Sequence, residues 1–165
     1  MITTDSMIEA VYNAWSNVPP SPIDDLKCIG WSCGEESLNE FVGVPPVKVD
    51  RSSSGFLSCT PLLELPDTAC AAYLGSYLLS FLEGLRFQEK NGIFYDILTR
   101  AHVLHCLSQP CFWENIIRLH VSHDAQKILS ELCSYLASRR ELLALSENQT
   151  NLIENLSKEK LFFDC

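Results

Sequence analysis

The feature that most limits the fold of this chain is an uncharged stretch in its middle, residues 69–82. The polar side chains within it are all hydroxyls, those of Tyr73, Ser76, Tyr77 and Ser80. A helix that is apolar on all sides lies either in a protein core or in a membrane. As a helix this stretch would rise about 21 Å, less than the ~30 Å hydrocarbon core of a bilayer. The sequence therefore predicts a mainly α fold, a compact multi-helix bundle around a buried central helix at about residues 68–83.

Amphipathic segments on both sides of this stretch supply the other helices. A first helix, capped by Thr4, Asp5 or Ser6, would turn four residues toward the core: Ile8, Val11, Tyr12 and Trp15. A short helix is expected at 35–42, and further helices at 95–108 and from Pro110 onward, after a break at Asn91-Gly92. Ser122 would cap a long helix whose core-facing residues are Ala125, Ile128, Leu129, Leu132 and Leu136.

Residues 44–60 are the least helical part of the sequence. Val47-Lys48-Val49 alternates between apolar and polar, which predicts either a small β-hairpin or a surface loop. We find no repeat and no second domain, so residues 1–165 are expected to form one helical domain. It would comprise an acidic N-terminal third (1–47), a helical core (66–145) and an amphipathic C-terminal segment (148–163).

Charge is concentrated in the N-terminal third. The chain carries a net charge of −9, and residues 1–47 hold seven acidic residues against the single Lys27. This balance argues against binding nucleic acid through its phosphates, because that needs a positive face. A one-sided acidic field can instead steer a basic protein partner, although it is also compatible with a face that only keeps the protein soluble. The residues expected to bind such a partner are Asp24, Asp25, Trp31, Glu35, Glu36 and Glu40.

The cysteines are read as free thiols rather than as a disulfide framework. The chain has eight of them, but its first residues combine neither the basic region nor the apolar run of a secretory signal. A core of this size needs no covalent bridges, so we expect mostly reduced thiols and a cytoplasmic location.

Histidines and cysteines gather in the cluster 102–123. Its members are His102, His105, Cys106, Cys111, His120 and His123. Histidines three residues apart share a helix face and can bind zinc in principle, which keeps a metal-dependent enzyme open as an alternative. However, the spacing fits no zinc pattern, and no catalytic motif of nucleophile, phosphate or dinucleotide chemistry is present. We therefore predict no catalytic residue, no metal and no cofactor.

A series of short patterns resembles a family of small bacterial proteins known only as a domain of unknown function. The patterns are Ile8-Glu9-Ala10-Val11-Tyr12, Val18-Pro19, Asp24-Asp25, Leu65-Pro66-Asp67, Tyr73-Leu74-Gly75-Ser76-Tyr77-Leu78-Leu79 and Ser122-His123-Asp124-Ala125-Gln126. The resemblance covers about residues 7–138 and implies a largely helical fold, but transfers no catalytic residue. Gly75-Ser76 departs from it, since that family often has Pro-Ala at this point.

Small size, acidity and the lack of a catalytic motif predict a non-enzymatic interaction protein. The specific expectation is a cytoplasmic immunity protein that binds and neutralises a basic bacterial toxin, such as a nuclease delivered by a secretion system. The alternative is a helical scaffold or regulatory subunit whose partner binds the apolar tail Leu161-Phe162-Phe163.

Overall fold

A computed structural model describes residues 2–26, 41–53, 56, 62, 65–93 and 97–161, and this part of the chain is mainly helical. The principal helices are α1 (Thr4–Trp15), α2 (Asp67–Asn91), α3 (Ile97–Leu107), α4 (His123–Ser138) and α5 (Glu147–Leu161). Short 3₁₀ helices lie at Ile23–Leu26 and Pro46–Lys48. Between α3 and α4, segment 110–120 is α-helical at Pro110–Phe112, π-helical at Trp113–Ile117 and α-helical again at Arg118–His120.

Helix α2 lies at the centre of the bundle, as its sequence predicts. Every residue from Tyr73 to Leu82 is buried, while α1, α3 and the two 3₁₀ helices all pack against α2. The helix runs beyond the predicted end to Asn91, and Gly92 then stops it with a φ of 75°, a left-handed conformation that glycine adopts most readily. Within the described ranges, no helix is long and apolar enough to cross a membrane.

The remaining long helices complete one hydrophobic core. Helix α1 packs on both α2 and α4, and α5 packs on α4. Buried apolar side chains from Met7 to Leu156 form a single contiguous cluster. In α4 the predicted stripe is confirmed, with Leu129, Leu132 and Leu136 fully buried. Ser122 caps this helix by accepting the Ala125 N–H at 3.3 Å.

The apolar and polar residues at 47–49 alternate between buried and exposed, but the β structure that this pattern suggested is not formed there. Val47 and Val49 are buried and Lys48 is exposed, yet the backbone forms the 3₁₀ helix Pro46–Lys48. Pro45 and Pro46 favour this turn, because proline fixes φ near the helical value. None of the described residues between 44 and 60 (44–53 and 56) is in a strand.

Segment 110–120 changes from α to π geometry around a buried indole. Trp113 is fully buried, and its Nε1 donates to the Leu107 carbonyl at 2.9 Å. At the far end, the Gln126 side chain donates to the carbonyls of Ile117 and Val121 at 3.2 and 2.8 Å. These bonds satisfy backbone acceptors near the end of the irregular helix, where the regular ladder is interrupted.

Candidate functional site

Helix α1 begins with a capping box, and its outer face is the side that does not pack on α2 and α4. Thr3, one residue before the predicted caps, is the N-cap: its Oγ1 accepts the Ser6 N–H at 3.1 Å, and the Ser6 hydroxyl accepts the Thr3 N–H at 2.9 Å. This reciprocal pair defines the start of the helix. The residues then turned into the core are Thr4, Met7, Val11 and Trp15. With that face buried, the helical period directs Asp5, Glu9 and Tyr12 outward.

Tyr12 is the residue on this face that sequence reasoning placed wrongly. It was expected in the core, but 46% of its surface is exposed. Met7 is the sequence feature that could have shown this exposure. Met7, Val11 and Trp15 repeat at helical spacing and form the buried stripe, and Tyr12 lies at the side of that stripe. An exposed aromatic ring next to carboxylates is a frequent type of binding anchor, because it contributes contact area with few rotatable bonds.

The carboxylates of this face differ in their surroundings. Asp5 accepts a bond from Arg86 on α2 at 3.2 Å, in a pair whose side chains are 73% and 42% exposed. Such a pair contributes little to stability and offsets part of the local negative charge. Glu9 lies one turn further along and is exposed. Its spacing from Asp5 and Tyr12 gives α1 a short outward stripe with both acidic and aromatic character.

Asp24 is exposed on the first 3₁₀ helix, Ile23–Leu26, which is anchored to the core through the buried Leu26. The proline segment just before it is held by the Ser21 N–H, which donates to the Tyr73 hydroxyl at 3.4 Å. The side chain of Asp25 and all of Trp31, Glu35, Glu36 and Glu40 lie outside the described part. Of the predicted binding residues, only the Asp24 side chain is therefore placed.

The predicted histidine–cysteine cluster is divided between two grooves. His105, Cys106 and Cys111 line one of about 360 Å³, together with Asp67 and other residues. His120 lines a different groove of about 240 Å³, between the proline segment 18–22 and the start of α4. His102 is half-buried, and His123 is exposed at the first position of α4. Across the described ranges, no three His, Cys, Asp or Glu side chains are arranged to hold a metal ion.

The four described cysteines, Cys70, Cys106, Cys111 and Cys133, are free thiols. Burial raises the pKa of the Cys106 thiol to about 12. It also raises the pKa values of Cys70 and Cys133 strongly. These buried thiols are therefore protonated at neutral pH. Cys111 is exposed.

No protein-family model, curated protein or solved structure matches this chain.

Proposed function

We propose that this chain is a non-enzymatic interaction module that binds a basic protein through the acidic surface of its N-terminal third. In its specific form, the protein is a cytoplasmic immunity protein that neutralises a bacterial toxin by covering a basic surface such as a nuclease cleft. The observation that supports the proposal is the outward stripe of α1, where Asp5 and Glu9 precede the half-exposed Tyr12 on successive turns. Asp24 adds a further exposed carboxylate on a second element packed against α2.

The charge of such a surface acts mainly on association. Carboxylates on a rigid face attract a basic partner before contact and raise the association rate, and salt screens this effect. The aromatic ring acts after contact, because burial of Tyr12 would slow dissociation. Loss of the carboxylates should therefore lower the association rate constant, whereas loss of the aromatic ring should raise the dissociation rate constant.

The test is purification of the partner from the native host on the immobilised chain, followed by binding kinetics with the purified partner. A double charge reversal, Glu9→Lys with Asp24→Lys, should lower the association rate constant at least tenfold at low salt. Tyr12→Ala should mainly raise the dissociation rate constant. Glu131→Lys is the control for a change of charge alone, since Glu131 is an exposed acid of α4 and belongs to neither element of the proposed surface, so its reversal should have a smaller effect.

The predicted residues outside the described part are tested in the same assay. Reversal of Asp24 and Asp25 together with Glu35 and Glu36 should slow association and flatten its salt dependence. An acidic partner, or a basic partner whose association rate is the same for all these variants, would refute the proposed surface.

A further inference from the structure

The groove of about 360 Å³ brings two cysteines of one short stretch of chain to a common surface. Cys106 is in the last turn of α3, and Cys111 is the second residue of segment 110–120. Both line the groove, as do Leu65 and Asp67. The volume falls within the range of pockets that bind small molecules.

A tight turn between the two helical segments produces this juxtaposition. The Gln109 N–H donates to the Cys106 carbonyl at 3.0 Å, and Pro110 then starts the next segment. The bond from the Trp113 indole to the Leu107 carbonyl, 2.9 Å long, ties the two segments together. The turn thus carries Cys111 back to the groove that Cys106 borders.

The two thiols differ in their access to solvent. Cys111 is exposed, whereas only 1% of the Cys106 surface is accessible. A smaller contribution to the raised pKa of Cys106, after burial, comes from the neighbouring Cys111. An accessible thiol beside a shielded one is the arrangement in which the first reacts with an external agent and the second resolves the product.

We propose that Cys106 and Cys111 form a redox pair that a low-molecular-weight disulfide oxidises to an intramolecular disulfide. In the first step, the Cys111 thiolate attacks the external disulfide, forms a mixed disulfide and releases one small thiolate. In the second step, the Cys106 thiol loses its proton to solvent and attacks the sulfur of Cys111, which releases the second small thiolate. The two released thiolates take up the two protons that the cysteines gave up. Two protein thiols are thus oxidised while one external disulfide is reduced to two thiols.

The groove favours a cationic disulfide. Asp67 contributes a carboxylate to its wall, and the chain carries a net charge of −9. Cystamine, a small disulfide with two ammonium groups, is therefore a suitable probe. The resolving step should accelerate about tenfold for each unit of pH over the neutral range, because it requires the thiolate of a group with a pKa of about 12.

The test is to incubate the intact protein with cystamine, block the remaining thiols with iodoacetamide and map the tryptic peptides. Residues 101–118 form one tryptic peptide that contains both Cys106 and Cys111. We expect this peptide to lose two hydrogen masses and to carry no blocking group. A cystamine adduct that persists on Cys111, two unreacted thiols, or a disulfide from Cys111 to another cysteine would each overturn the proposal.

Three variants resolve the order of the steps. Cys106→Ser should accumulate the mixed disulfide on Cys111, and Cys111→Ser should leave Cys106 as a thiol. Cys133→Ser is the control, because Cys133 lies in α4 and does not line the groove, and its loss should leave peptide 101–118 oxidised as in the natural sequence. If the Cys106 variant does not fold, the map of the natural sequence still decides the proposal.

Discussion

Replacement of Gly75 by alanine tests how closely α1 packs against α2. A Cβ atom built at Gly75 would lie 2.3 Å from Cγ, 2.7 Å from Cδ1 and 2.8 Å from Cβ of Trp15. These distances are far inside van der Waals contact, so α1 or the indole would have to move. The indole has little freedom to do so, since it is 1% exposed and its Nε1 donates to the Ala71 carbonyl at 3.1 Å.

The two effects of this substitution have opposite signs. In the interior of a helix, glycine to alanine stabilises by about 1 kcal/mol through helix propensity. Insertion of a methyl group into a well-packed core costs about 1–3 kcal/mol, and more when a rigid ring cannot shift. Because all three distances involve Cβ of Trp15 and the ring atoms next to it, rather than the far end of a flexible side chain, we expect the steric cost to win. Gly75→Ala should lower the free energy of unfolding by about 1–2 kcal/mol.

A double-mutant cycle with Trp15→Ala isolates the contact. Equilibrium unfolding in urea, followed by circular dichroism, gives the free energy of unfolding for the four proteins. Trp15→Ala alone should cost about 3–5 kcal/mol, and the double variant should be less destabilised than the sum of the two by about 1 kcal/mol or more. Strict additivity, or stabilisation by Gly75→Ala in the natural sequence, would show that the contact does not limit the approach of α1.

Three further measurements test other parts of the structure. Arg51→Lys should lower the free energy of unfolding by about 1 kcal/mol or less and speed limited proteolysis near residue 51. The reason is that lysine cannot reproduce the two bonds, of 3.2 and 2.6 Å, from Arg51 to Glu83. Unchanged cleavage would mean that these bonds do not hold the loop around residue 51 against α2. Tyr135→Phe should cost about 1 kcal/mol in urea unfolding, since its hydroxyl lies 2.6 Å from that of the buried Thr4; an unchanged midpoint would mean that this bond contributes nothing. The raised pKa of Cys106 predicts that the free energy of unfolding falls between pH 9, the ordinary pKa of a thiol, and about pH 12, because the thiol ionises first in the unfolded chain. This group contributes a slope of about 1.4 kcal/mol per pH unit. In Cys106→Ala the free energy of unfolding should fall less steeply over the same range.

The parts of the fold that could be predicted from sequence are those with a long periodic signal. The uncharged stretch in α2 and the buried stripe of α4 are regular over several turns, so hydrophobic burial and helix geometry agree. The Pro46–Lys48 segment is too short for its pattern to distinguish a strand from a 3₁₀ helix, because alternate residues are buried in both. We identify no local sequence signal for the π-helix at Trp113–Ile117. The bonds from Trp113 and Gln126 that surround it join residues that are distant along the helix or outside it.

The candidate sites depend on tertiary contacts that sequence patterns do not contain. Sequence order grouped six histidines and cysteines, but the turn at Pro110 sends Cys111 back toward Cys106 while His120 borders another groove. Charge counting identified an acidic third of the chain, but could not reveal that Asp5 pairs with Arg86. The orientation of Tyr12 depended on which of two adjacent helix faces is buried, and the buried side chains of Thr4 and Met7 identify that face.

Helix α2 also holds the segment 41–46 in place. The Tyr73 hydroxyl lies 2.8 Å from the Phe41 carbonyl and 3.1 Å from that of Val44, and the Ser76 hydroxyl donates to the Pro46 carbonyl. Because these bonds join loop carbonyls to a buried helix, the segment 41–46 is fixed by the same core that fixes α1. A binding surface built on such elements loses little conformational entropy on association. The charge reversal proposed at Glu9 should therefore change association kinetics while leaving the free energy of unfolding nearly unchanged, since the Glu9 side chain is exposed.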